Sequence, residues 1–301
     1  MLRLGIVDCD TSHCVQFTMR LNHVGIDESQ WVDGANIVAA APLPSAIVPQ
    51  ETIDGYVEQL RGWDVEIVDA PEKLLDMGLD GVLIEANNGS VHLERARPFL
   101  EAGMPLYVDK PFTCSSADAK GILRLAAENG VPVFSASSLR FGLEVMQVTE
   151  DRDEAFGKVL GANTWSPASL HPSNPGLFHY GIHAVEPLFA LMGAGCQRVA
   201  CAFEEGAEVS LGVWDDGRLG SMRGTRDGAH AYGFTAFCEK QVYTTQIDAG
   251  MIYRELLKKM VGMFQTRVAP VDVQETLELV AFIEAALESS QSGGKWVELS
   301  R

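Results

Sequence analysis

The sequence predicts an α/β protein in two parts. An N-terminal, doubly wound parallel sheet is followed by a C-terminal α+β domain with an open, mostly antiparallel sheet. Three observations predict this. Short apolar runs alternate with helix-period segments from residue 2 to residue 136, the rhythm of repeated βαβ units. After residue 140 the rhythm changes to strand-like runs separated by short turns, with helices at both ends of the segment. The length of 301 residues suits two domains better than one. The boundary is expected near residue 138, giving domains over 1–138 and 139–301.

The first half divides as follows. Leu2–Asp8 is an apolar run ending in a polar turn, and Ser12–Asn22 is helical with Val15, Met19 and Leu21 inward. Asn36–Ala41 is a second strand, Glu51–Trp63 a helix, Val65–Val68 a short strand and Pro71–Met77 a short helix opened by proline. Gly81–Glu85 is a strand, Val91–Ala102 a helix stopped by Gly103, and Met104–Asp109 a strand. Ser115–Asn129 is a helix closed by Gly130, and Val131–Ala136 a strand. Right-handed crossovers between such units yield a parallel sheet.

In the second half a helix covers Phe141–Glu150, and a long loop, Trp165–Gly176, carries three prolines and His171. A helix follows over Leu177–Met192. Strands are expected at Gln197–Glu204, Glu208–Trp214, Arg218–Thr225 and Ala231–Thr245, with Asp215-Asp216-Gly217 as a hairpin turn. Helices over Met251–Phe264 and Val273–Ser290 close the chain.

Composition excludes several functions. A net charge of −18 is unsuited to the phosphates of nucleic acid or to an anionic membrane surface. No segment reaches the roughly 18 uncharged apolar residues of a membrane helix. The chain opens directly on a strand with no leader-like apolar stretch, and none of its six cysteines forms a C-x-x-C pair. A cytoplasmic protein with reduced thiols is expected.

Two motifs stand out in order. Asp109-Lys110-Pro111 ends a strand and precedes a helix; later comes Gly176-Leu-Phe-His179-Tyr-Gly181-Ile-His183-Ala-Val-Glu186. This order resembles the glucose–fructose oxidoreductase and inositol dehydrogenase family, Gfo/Idh/MocA, over essentially the whole chain. The resemblance implies a Rossmann-type first domain and hydride transfer between NAD or NADP and a sugar or polyol carbon. It implies that Lys110 lies near nicotinamide and substrate, and that His183 accepts and donates the hydroxyl proton. Such chemistry suits an imidazole and a nearby ammonium group.

The chain departs from that family in three places. The first βα turn, usually G-x-G-x-x-G, reads Asp8-Cys9-Asp10-Thr11-Ser12-His13. Glycine there lets the backbone approach a pyrophosphate at a helix N-terminus, whereas Asp10 is expected to cap that helix with its own carboxylate. The second strand ends in Ala41-Pro42, without an acidic residue for the adenosine ribose. The family's helix aspartate is His179, one helical turn before His183, so the two are expected to share a face. A dinucleotide would meet Asp10, Thr11, Ser12, His13, Asn87 and Lys110. His179 and His183 with Glu186, and His171 nearby, could ligate a metal; the preferred reading has no metal, with His179 orienting substrate hydroxyls.

The polar strand ends at Asp8, Asp10, Ser12, His13, Glu85, Asn87 and Asn88 suit a polyhydroxylated small molecule. Three functions stay open: an NAD(P)-dependent oxidoreductase on a sugar, polyol or related hydroxy compound; a non-redox isomerase, lyase or hydrolase for a sugar; and a silent sugar-binding protein. A homo-oligomer, dimer or tetramer, is expected from the open sheet.

Overall fold

The computed structural model describes residues 1–150 and 155–300. The chain forms two compact units, the first from Met1–Thr113, Ala117–Ala136 and Tyr253–Asp272, the second from Cys114–Ser116, Ser137–Ile252 and Val273–Arg301.

The first unit holds a six-stranded parallel sheet. Its strands are β1 (Leu2–Val7), β2 (Ala35–Ala41), β3 (Glu66–Ile67), β4 (Gly81–Ile84), β5 (Leu106–Val108) and β6 (Val133–Phe134), in the order β3-β2-β1-β4-β5-β6. All residues of β4 and β5 are buried, as in a sheet covered on both faces. Helix α1 (His13–Leu21) buries Val15, Phe17 and Leu21, and α2 (Gln50–Gly62) buries Ile53, Val57 and Leu60 at helical spacing. Helix α3 (His92–Glu101) buries Ala96, Phe99 and Leu100; α4 spans Ser116–Glu128. The segment expected as a short helix at Pro71–Met77 is a 3-10 helix over Pro71–Asp76.

Register determines what gathers at the carboxyl ends of these strands. Val7 pairs with Ile84, and Ile84 with Val108. The next residues are therefore level: Asp8, Glu85 and Asp109. Their amides extend the ladder, with Glu85 N–H donating to Val7 O at 2.8 Å and Asp109 N–H to Ile84 O at 2.9 Å. The strand order reverses at β1, which creates the crevice where ligands of open α/β sheets bind.

The second unit contains α5 (Leu143–Glu150), α6 (Ile182–Met192) and a seven-stranded sheet. Its strands are β7 (Val159–Pro167), β8 (Cys196–Glu204), β9 (Ala207–Trp214), β10 (Leu219–Thr225), β11 (Gly233–Cys238), β12 (Val242–Gln246) and β13 (Val297–Glu298), in the order β12-β11-β7-β10-β9-β8-β13. Only β7 and β10 pair in parallel among the described strands of this sheet. Trp214 anchors the core at 1% exposure. Gly212 and Gly220 are cross-strand partners, and a Cβ on either would meet the Trp214 ring at 2.9 Å, so their lack of a side chain gives the indole its place. Helix α7 (Ile252–Thr266) lies almost wholly in the first unit, and α8 (Val273–Gln291) packs on β8 of the second.

Three expectations are corrected. Residues read as the start of the loop at Trp165 belong to β7, a central strand. Ala231–Thr245 is two antiparallel strands, β11 and β12, not one. The helix expected from Leu177 begins at Ile182, after a 3-10 turn over Gly176–Phe178. Among the described residues no helix is long and apolar enough to cross a membrane, and all six cysteines are free thiols.

Candidate active site

In the first unit the turn after β1 departs from its expected wiring. Asp8 takes φ +68°, the left-handed conformation in which a glycine would ordinarily stand. Its carboxylate lies 3.4 Å from Arg95 Nε. Burial pushes the Asp8 carboxyl up to about 7, with Arg95 pulling the other way and Asp10 adding to the rise.

Asp10 does not cap α1, contrary to the sequence expectation. Its Oδ1 accepts the Asn87 N–H at 2.7 Å and its Oδ2 accepts from Ser45 Oγ at 2.5 Å. The carboxylate thus laces the turn after β1 to the loops after β2 and β4. The reason is competition: a backbone amide and a hydroxyl converge on it at 3% exposure, and buried carboxylates take the strongest donors available. Ser12, the N-cap of α1, is exposed, and its side chain makes no capping hydrogen bond. Thr11 is buried and its Oγ1 accepts the His13 N–H at 3.4 Å.

His13 and Asp109 meet through Nδ1 and Oδ2 at 2.8 Å. The carboxyl of Asp109 is held down to about 2: burial alone would raise it, but the His13 charge and hydrogen bond, with Lys110, outweigh that. Glu85 is driven the other way, far above the usual carboxylate range, by complete burial and the neighbouring Asp109 charge. Lys110 follows Asp109, is 8% exposed, and leads into a cis bond to Pro111. His92 is a feature the sequence reading missed. It is wholly buried between Ala86 O (Nε2, 2.8 Å) and Phe112 O (Nδ1, 3.0 Å), and burial lowers its basicity. Its ring tethers the loops after β4 and β5. A His seven residues beyond a strand-end Glu was the available signal.

The second unit presents the histidines. His183 is the second residue of α6, and its Nδ1 lies 2.7 Å from Ser137 Oγ. Tyr180 packs edge-on to His183 with centroids 4.7 Å apart, and Tyr180 Oη and Tyr232 Oη are 2.9 Å apart. His179 follows the 3-10 turn, outside α6, so it and His183 are not one turn apart on a common helix. Its ring lies 5.2 Å from that of His171. Glu186 is engaged by Arg140, whose Nε donates at 2.7 Å while its Nη2 donates to Glu275 at 2.5 Å. That buried pairing commits Glu186 to the helix framework rather than to a metal set with the histidines. Tyr180, Tyr232 and Ser137 escaped the sequence reading because they are far apart in the chain.

The arrangement fits the anionic end of a dinucleotide. The N-terminus of α1, a ready anion site, has an exposed serine and no capping carboxylate, because Asp10 is committed elsewhere. The backbone at Asp8 already has the fingerprint glycine's conformation.

A parallel sheet reversing at β1, with its polar residues at the strand ends, defines a Rossmann-type α/β protein. Residues 55–137 match the oxidoreductase family with NAD-binding Rossmann fold, GFO_IDH_MocA. Over residues 55–137 the chain is thus similar to the family that its Asp109-Lys110-Pro111 motif resembles. The match includes Glu85, Asn87, His92 and Lys110 and begins after the Asp8–His13 turn. No curated protein matches the sequence. The fold is shared with GenD2 from gentamicin A biosynthesis, solved with NAD (15% identity, TM-score 0.81, covering 100% of this chain and 97% of that one). It is shared with an Agrobacterium radiobacter oxidoreductase solved with NAD+, L-tartaric acid and magnesium (15%, 0.76, 99% and 98%). It is shared too with scyllo-inositol dehydrogenase from Lactobacillus casei (13%, 0.78, 100% and 99%).

Proposed function

We propose that the protein is an NAD(P)-dependent oxidoreductase acting on a secondary hydroxyl of a sugar, polyol or related hydroxy compound. The observation that carries this reading is Lys110: a buried lysine at the carboxyl end of β5, beside Asp109, inside the family-matched segment. The similarity in fold to GenD2, solved with NAD, and to a scyllo-inositol dehydrogenase supports it.

Thr11, Ser12 and the first-turn amides of α1 would hold the pyrophosphate, with Asn87 and Lys110 along the same strand ends. The bound dinucleotide supplies a nicotinamide carbon that exchanges hydride with the substrate carbon. The protein's own work is on the oxygen. His183 takes the hydroxyl proton at Nε2, with its ring held by the 2.7 Å contact between Nδ1 and Ser137 Oγ. Lys110 stabilises the negative charge that develops on the oxygen. His179, with Tyr180 and Tyr232, orients neighbouring hydroxyls. The substrate is a small polyhydroxylated molecule, and the enzyme works in the cytoplasm with its six thiols reduced. It assembles as a dimer or tetramer, which would cover Leu160, Leu219 and Phe237, each at least 40% exposed on the second sheet.

The test is NAD and NADP reduction across a panel of polyols, inositols and sugar acids. Lys110→Ala is expected to lose about 100-fold or more in kcat/KM. Full activity in that variant contradicts the assignment. One observation favours a non-redox sugar enzyme instead, the aspartates at 8 and 10 where glycine is usual; turnover of a sugar without any dinucleotide would establish that reading.

A further inference from the structure

We propose that His13, Glu85 and Asp109 form a binding site for one divalent transition-metal cation, buried in the first unit. Three elements deliver the donors: the start of α1, the end of β4 and the end of β5. The His13 ring nitrogen and the two carboxylates present donor atoms that lie within 4.8 Å of one another. All three residues are buried, at 7%, 0% and 0% exposure.

Glu85 is the observation that points to a ligand. Neither of its carboxyl oxygens has a hydrogen-bond partner, though no part of the residue reaches solvent. Buried polar atoms are almost always satisfied, and an exception calls for an ion or a bridging group. Register supplies the second argument. Because Ile84 pairs with Val108, Glu85 and Asp109 stand level on adjacent strands.

The surroundings orient the donors as outer groups do in metal sites. Tyr107 Oη donates to Asp109 Oδ1 at 3.3 Å and lies 3.1 Å from Ala136 O, while Oδ2 meets His13. The His13 ring stacks on Phe17 at 4.9 Å and meets the edge of Tyr253 at 5.2 Å. Both contacts fix its plane. One imidazole and two carboxylates suit zinc or a similar first-row cation. Magnesium and calcium prefer oxygen donors alone. A ligating ring nitrogen of His13 must be unprotonated, so binding is coupled to proton release wherever that nitrogen carries a proton. The Lys110 ammonium adjoins Asp109, and Asp10, whose charge acts on Glu85, offsets part of its repulsion of a dication.

The experiment uses the full-length, tag-free chain stripped with chelator and titrated calorimetrically with Zn²⁺, with Mg²⁺ as the control, in buffers of different ionisation enthalpy. The expected result is one equivalent of Zn²⁺ with proton release, a rise in melting temperature, and no response to Mg²⁺. Glu85→Gln and His13→Ala should each weaken binding at least tenfold. The exposed Glu94→Gln control should leave it unchanged. If His13→Ala fails to fold, Asp109→Asn takes its place. Absence of saturable Zn²⁺ binding, or binding that survives Glu85→Gln and the second variant, overturns the proposal.

Discussion

Asp10 Oδ1 accepts the backbone N–H of Asn87 at 2.7 Å, so a side chain from the turn after β1 fastens the loop after β4. The same carboxylate holds Ser45 in the loop after β2. At the position of a phosphate-approach glycine the chain has placed a structural clamp across three strand ends. Asp10→Ala removes two charge-assisted hydrogen bonds at a buried site and should cost about 2–4 kcal/mol, read as a lower urea midpoint. An unchanged midpoint would show that the clamp contributes nothing.

Asp8 gives the fold a pH dependence of known sign. Its carboxyl titrates near 7 in the folded chain against an ordinary 3.8. Between those values the folded state holds a proton that the unfolded state releases. The resulting stabilisation is complete below pH 3.8 and is lost as pH rises through 7. Asp8→Asn keeps a residue tolerant of positive φ and removes the titration. It should therefore gain stability over the parent at about pH 8 and show a flatter profile from about pH 4 upward. Chemical denaturation at several pH values measures this, and parallel profiles for the two proteins would refute it.

In the proposed reaction Ser137 acts through His183. With Nδ1 2.7 Å from Ser137 Oγ, the ring is held in one orientation. Ser137→Ala should lower kcat by about tenfold with a small change in KM and displace the acidic limb of the rate profile. A change confined to KM would make Ser137 a substrate contact instead.

Much of the fold was legible because periodicity is local. The alternation of β1, α1, β2 and α2 appears in the apolar spacing itself, and Gly103 and Gly130 mark helix ends at positive φ. β7 was not legible. Val-Leu-Gly-Ala-Asn-Thr-Trp-Ser-Pro contains turn-forming residues, and only pairing with β10 and β11 on either side makes it a strand. The membership of α7 in the first unit is equally non-local: Phe264 packs where Gly81 has no side chain, 183 residues earlier in the chain. Lys110 and His183 could be singled out from motifs. The grouping of His13, Glu85 and Asp109 could not, since parallel register brings together residues that sequence separates by 72 and 24 positions. Asp10 was legible as a departure from glycine but not as a clamp, because its partners Ser45 and Asn87 lie on other loops.

The most direct measurement is a calorimetric titration of the purified protein with NAD, NADH, NADP and NADPH, after removal of any carried-over nucleotide. The account predicts saturable binding of at least one of them near micromolar strength, about 8 kcal/mol, weakened in Lys110→Ala. No binding of any of the four up to about millimolar, near 4 kcal/mol, would contradict it and mark the Asp8–His13 turn as closed to dinucleotides.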